Sequence, residues 1–244
     1  MNLLLIDTSS TVCRVGLSAN GKLVDERMLE GENKHSEGLN PIVLQLMQGS
    51  GCEFNSLDGV AVINGPGSYT GLRIGAAFAK ALQLATQCRL IAVNGLDLLI
   101  EQYRLEGHDL QEGDYLIPMV DARRMEVFTQ TVRYATEAVC IHAPGARVLT
   151  ADSYSDCTGG TRHFIGNGCS KFQELRPSDT QLIDRFRADP AHRMESMANL
   201  ASIHHQQRRF VTDDFWQPDY HKEFFYPEPR QKTAPTAAAV NKTA

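Results

Sequence analysis

The apolar positions of the chain follow two periods. Leu3 to Ile6, Val12 to Leu17 and Lys22 to Leu29 are short runs of strand type, and Asn20-Gly21 between the last two accepts the positive φ of a hairpin turn. Leu39, Ile42, Val43, Leu46 and Met47 then recur at helical spacing, with Leu44 outside the arc. This predicts an amphipathic helix capped by Ser36, or by Asn40 with Pro41 in the first position. Val60 to Ile63 is a buried strand, Gly65 to Gly71 a turn, and Ser68 to Gln87 a helix with Ser68 or Thr70 as its cap.

On that helix Ile74, Phe78, Ala81, Leu82 and Ala85 form one broad apolar face, and Gly71, Gly75 and Ala79 an adjoining stripe of small residues. The polar arc of Arg73, Lys80, Gln83 and Gln87 is narrow, so burial is required over most of the circumference. The pattern predicts that the Ile74 face meets the sheet and that the glycine stripe is free for close approach of another helix.

A strand over Leu90 to Val93 and a helix over Gly95 to Tyr103 follow, and the polar stretch Asp109 to Asp114 marks passage to a second lobe. There Tyr115 to Val120 and Glu126 to Val132 flank Asp121-Ala122-Arg123-Arg124, a strand-Asp-turn-strand that echoes Asp7 and suggests duplication. Thr136 to Gly160 is weakly patterned, with a strand near Arg147 to Leu149. Phe164 to Cys169 repeats the strand and glycine turn, and Met194 to Gln207 is a closing amphipathic helix. The residues from Tyr226 onward have no apolar periodicity and read as a disordered tail.

Composition narrows the function classes. Twenty-four Lys plus Arg against 29 Asp plus Glu give a net charge of -5, which provides no basic surface for holding nucleic acid by its phosphates. Contact with RNA therefore needs a partner. The six cysteines have no C-x-x-C pair or regular spacing, so the sequence indicates neither a disulfide framework nor a zinc site. The first apolar run is too short for a signal peptide and no run approaches a membrane span, so a cytoplasmic protein is expected.

The candidate chemistry lies in two turns. Asp7-Thr8-Ser9-Ser10-Thr11 puts a carboxylate and four hydroxyls at the end of a buried strand, suited either to a Mg-nucleotide or to satisfying the turn itself. The Gly65 to Gly71 turn offers backbone N–H groups at a helix start. It lacks the Gly-Lys-Ser/Thr of a Walker A loop and the spacing of a dinucleotide fingerprint, so a turn that brings helix close to sheet is the preferred reading. His35 has Leu39 four residues on and reads as a lone surface histidine. His204 and His205 are adjacent, so their rings point to different sides.

Taken in order, Leu5-Ile6-Asp7-Thr8-Ser9, His35-Ser36-Glu37, Gly65 through Gly75 and Asp121 through Val127 closely resemble the TsaB (YeaZ) family over about residues 1 to 220. Gln217-Pro218-Asp219-Tyr220 is similar to the Pro-x-Tyr near that family's end. The resemblance implies an α/β fold of two actin-like or Hsp70-like (ASKHA) lobes, each a mixed sheet with helices. Their expected bounds are 1–108 and 109–220, with the closing helix in the second lobe and a tail over 221–244. It further implies a non-catalytic subunit that binds TsaD. With TsaE, this complex transfers threonylcarbamoyl to the adenosine beside the anticodon of tRNAs reading ANN codons.

On this resemblance the protein dimerises when alone, meets tRNA only through the complex, and has no cofactor, metal ligand or catalytic residue. Asp7, Thr8, Gly65, Gly67 and Ser68 are a vestigial nucleotide site. Leu39, Ile42, Val43, Leu46, Met47, Gly71, Gly75 and Ala79 form the partner contact. Ser9 stands where active actin-like ATPases usually have glycine, and His35 lacks the second histidine of a TsaD-like H-x-x-x-H pair. An ATP hydrolase using Asp7, Thr8 and the Gly65 to Gly71 turn is the first alternative, a metallopeptidase the second.

Overall fold

Strand β1 (Asn2–Asp7), buried from Leu3 on, is the middle strand of a five-stranded sheet in the computed structural model, which describes residues 1–31, 35–176, 181–188 and 191–220. Its alternating side chains serve two cores. Leu4 and Ile6 face α1 (His35–Ser50) and α2 (Tyr69–Thr86), while Leu3 and Leu5 face α5 (Met194–Gln206) and Leu98 of α3 (Gly95–Leu105). The sheet order is β3-β2-β1-β4-β5. Strands β2 (Val12–Ala19) and β3 (Lys22–Glu30) are antiparallel, and β4 (Gly59–Gly65) and β5 (Arg89–Asn94) are parallel.

The second sheet repeats this plan. Its order is β10-β9-β6-β7-β8, from β6 (Tyr115–Asp121), β7 (Glu126–Arg133), β8 (Val139–Val148), β9 (Arg162–Ile165) and β10 (Asp184–Arg187). Again the middle strand has two antiparallel neighbours on one side and two parallel strands on the other. Asp7 and Asp121 each end a middle strand, so the duplication read from their echo holds. The helix after the second glycine turn, α4 (Cys169–Leu175), is much shorter than α2.

The boundary expected at 109–220 is corrected by α5. Met194, Met197, Ala198 and Ala201 pack on Leu3, Leu5 and Ile63 of the first sheet, so the closing helix belongs to the first lobe. The segment after it also stays there. Val211 N–H donates to the Leu90 carbonyl (2.9 Å), Asp219 N–H to that of Asn64 (2.7 Å), and Trp216 packs on the first core. The second lobe is thus an insertion between α3 and α5. The two crossing points are tied by Gln102, whose amide nitrogen donates to the Ala191 carbonyl (3.3 Å) and whose oxygen accepts from Arg193 N–H (3.1 Å).

Leu99 and Tyr103 of α3 pack against Leu116 and Ile165 of the second sheet, sealing the two lobes together. A buried polar chain crosses the same seam. His163 Nε2–H donates to the Asp114 carboxylate (3.1 Å), and the other ring nitrogen lies 2.9 Å from the Tyr103 hydroxyl. Burial pushes His163 below its ordinary value, against the pull of Asp114, so the ring is neutral and Nδ1 accepts from Tyr103.

Other local expectations also change. Helix α1 begins at His35, so neither Asn40 nor Ser36 precedes it and Pro41 lies inside it. His35 is buried with Nε2 3.0 Å from the Ser10 carbonyl, and is no surface histidine. Strand β8 spans ten residues where only Arg147 to Leu149 was expected, and β10 was not anticipated. The tail expected over 221–244 lies outside the described residues.

Candidate functional site

The two candidate turns meet where β1, β4 and α2 converge. Ser68 caps α2 by accepting from Gly71 N–H (3.3 Å), and its own N–H donates to the Ser9 carbonyl (2.7 Å), so one turn is stitched to the other. The approach is close enough to demand glycine. A Cβ at Gly71 would overlap the Thr8 carbonyl oxygen, and one at Gly67 would lie 2.5 Å from that of Ser9. Gly65, at φ 134°, is capped by the Asp219 carbonyl. The structure therefore brings the turn of Asp7 and Thr8 against that of Gly65, Gly67 and Ser68.

Their polar groups are turned on one another. The Thr8 hydroxyl donates to the Gly71 carbonyl (2.7 Å). The buried Asp7 carboxylate accepts from Ser9 N–H (2.9 Å) and Ser9 Oγ (2.6 Å) on one oxygen, and from His192 Nδ1 (2.8 Å) on the other. Burial alone would raise the Asp7 carboxyl, yet the His192 ring and the Ser9 bonds hold it below the ordinary value. Sequence reasoning missed His192. It precedes α5 by two residues, stands 185 positions from Asp7, and no periodicity or motif marks it.

The counterpart turn in the second lobe is more open. Asp121 is exposed, accepts from Lys171 Nζ (2.6 Å) and from Arg123 N–H (2.6 Å), and is held below its ordinary value chiefly by those bonds against partial burial. Arg123 and Arg124 both adopt positive φ there.

The expected partner surface is corrected. Leu39, Ile42, Val43, Leu46 and Met47 are all in the first core, against β1 and β2. Gly71, Gly75 and Ala79 face inward as well. Ala79 is 0% exposed, and a Cβ at Gly75 would overlap the Thr8 hydroxyl and press on Val62. The stripe is small because helix and strand ends touch there, not because a second helix comes from outside. Ile74, Phe78 and Leu82 pack on the flank of the core, whereas Ala77, Ala81 and Ala85 are exposed. The outward apolar groups of the two helices are Leu44 (49% exposed) and Leu84 (74%).

Two duplicated lobes, each a mixed sheet in this strand order with an aspartate ending its middle strand, define an actin-like (ASKHA) protein. The family model described as TsaD, tRNA N6-adenosine threonylcarbamoyltransferase, matches residues 30–155, more than half of the chain. The Haemophilus influenzae "tRNA threonylcarbamoyladenosine biosynthesis protein TsaB" is 30% identical over 54% of this chain and 55% of its own length. An uncharacterised protein of Mycobacterium bovis is 32% identical over 74% of this chain and 82% of its own. The solved structure of YeaZ from Pseudomonas aeruginosa shares the fold, with a TM-score of 0.73 at 23% identity over 90% of this chain and 99% of that one. The chain belongs to the TsaB (YeaZ) family. It spans little more than half the length of the curated Haemophilus relative.

Proposed function

We propose that this protein is a non-catalytic assembly subunit of the machinery that makes threonylcarbamoyladenosine in tRNA, binding a TsaD-type enzyme in the cytoplasm. TsaE joins the assembled complex, and tRNA is met only through it. The observation that carries the non-catalytic part is the closure of the candidate nucleotide turn. Asp7 is taken by His192 and Ser9, and Thr8 by Gly71. Holding a Mg-nucleotide there would require breaking the buried Asp7–His192 hydrogen bond before any phosphate contact formed. An ATP hydrolase using Asp7 is the reading this opposes. Mg-dependent ATP turnover that disappears in Asp7→Ala and persists in Ala81→Ser would overturn the proposal.

The partner surface is proposed on the solvent side of α1 and α2, where Leu44 and Leu84 stand out among small or polar neighbours. The same face serves a second copy of the chain when TsaD is absent, so the two associations compete. Leu84→Arg puts a cation where an apolar contact forms and touches nothing in the core. Light scattering on the variant, then capture by a matching TsaD, tests the face. Undiminished dimer and complex in a variant of unchanged melting temperature would remove it.

A further inference from the structure

Among the described residues, His142, Asp156 and Cys157 form the one group whose nitrogen, carboxylate oxygen and sulfur all lie within 4.8 Å of one another. They lie in the second lobe, away from the Asp7 turn. His142 is on β8, the edge strand of the second sheet, and Asp156 and Cys157 end the turns that follow it. The turns are fixed by backbone bonds from Ser155 N–H to the Asp152 carbonyl and from Cys157 N–H to that of Tyr154, both 3.1 Å. Positions 142, 156 and 157 carry no recognisable ligand spacing, so only the fold brings them together.

The donors are arranged for a small cation. His142 Nε2 lies 2.8 Å from one Asp156 oxygen, and the Cys157 sulfur lies 3.8 Å from the other. The second ring nitrogen, Nδ1, lies 3.0 Å from Thr131 Oγ1 on the neighbouring strand. A hydroxyl or carbonyl behind a ligating imidazole orients the ring and fixes its tautomer, which is the usual support of a metal-bound histidine. Without a cation Nε2–H donates to Asp156 and the Thr131 hydroxyl donates to Nδ1; a bound cation would take Nε2 and leave the ring proton on Nδ1, donated to Thr131.

We propose that His142, Asp156 and Cys157 bind one divalent cation of zinc type, with Thr131 as the positioning residue and a water completing a four-coordinate site. One imidazole, one carboxylate and one thiolate suit a borderline-soft ion, whereas Mg²⁺ and Ca²⁺ prefer oxygen throughout. Zn²⁺ with one thiolate and one carboxylate is neutral, one charge more positive than the ion-free site with its neutral thiol and ionised Asp156. Binding displaces the thiol proton to solvent and involves no redox change. The bound ion would clip the turn over 150–157 onto β8.

The experiment titrates Zn²⁺ into the full chain against a chromophoric chelator, then repeats it with Co²⁺ and records the absorption spectrum. One equivalent should bind, and Co²⁺ should give a near-ultraviolet thiolate charge-transfer band. His142→Ala and Asp156→Asn, both at partly exposed positions, should abolish stoichiometric uptake. Thr131→Val should weaken it about tenfold. The band should vanish in Cys157→Ser and survive in Cys140→Ser. Zinc should also raise the melting temperature of the wild type and not that of His142→Ala. Equal uptake by wild type and His142→Ala, or a cobalt band that depends on Cys140, overturns the proposal.

Discussion

His192 Nδ1 lies 2.8 Å from the Asp7 carboxylate, joining the last residue of β1 to the segment that leads into α5. The carboxylate can only accept, so Nδ1 carries the proton, and neither side chain has water to fall back on. Removing the ring leaves the buried carboxylate held by Ser9 alone, with one oxygen unpaired. His192→Ala should therefore destabilise the protein by about 3 kcal/mol, read from urea unfolding. The folded Asp7 value is depressed, so its contribution is complete above the ordinary carboxylate value of 3.8 and is lost as pH falls through the folded one. An unchanged midpoint in His192→Ala would mean that the pair contributes nothing.

Where α2 meets the end of β1, volume is the constraint. Gly71→Ala drives a methyl into the Thr8 carbonyl and Gly75→Ala one into the Thr8 side chain, and each should cost about 1–3 kcal/mol through the displacement it forces. Ala79→Arg, also at an inward position, should fail to fold and so reports nothing about partners. Ala81→Ser on the outer side should stay within about 0.5 kcal/mol of wild type. Thermal melts of the four variants decide the orientation of the helix, and a stable Gly75→Ala would reverse it.

Acid should loosen the protein well above the carboxylate range. His163 and His204 are both held below 6.5, chiefly by burial. Between their folded values and 6.5 the unfolded chain binds more protons than the native one, so stability rises with pH across that window and is complete above it. Urea midpoints at pH 7.5 should exceed those at pH 5.5, and His163→Gln should flatten part of the difference. A midpoint that is level over this range, or higher at pH 5.5, would contradict the buried neutral rings.

The cysteines should separate sharply by reactivity. Burial pushes Cys13 and Cys157 up to about 12 and Cys169 up to about 11, whereas Cys140 is exposed. At pH 8 an alkylating reagent should label Cys140 early and leave Cys13, Cys157 and Cys169 intact until the chain unfolds. Peptide mass spectrometry over time follows each site, and early labelling of Cys157 would show that its turn opens readily.

The central strands were legible because both faces of β1, β4 and β6 are apolar and their turns carry glycine or aspartate. The edge strands of the second sheet were not. Strand β8 is exposed along most of its length and β10 reads Asp-Arg-Phe-Arg, so neither has the alternation that marks a half-buried strand. The wheel for α2 ranked its faces by hydrophobicity and placed Phe78 inward. In the structure Phe78 packs on the flank of the core, and the stripe against Thr8 and Val62 has room only for glycine and alanine. His192 shows a further limit, because a pair 185 residues apart leaves no trace in local pattern.

The placement of α5 sets an order in time. Strand β5 ends at Asn94, but the helix that covers Leu3 and Leu5 does not begin until Met194. At about 5–20 residues per second, a ribosome takes on the order of ten seconds to cross that interval. Until α5 emerges, that side of the first sheet is covered only in part, by Leu98 of α3, whereas the second sheet has all five of its strands once Arg187 is made. The half of the molecule made later is thus finished earlier, and the half made first waits for α5.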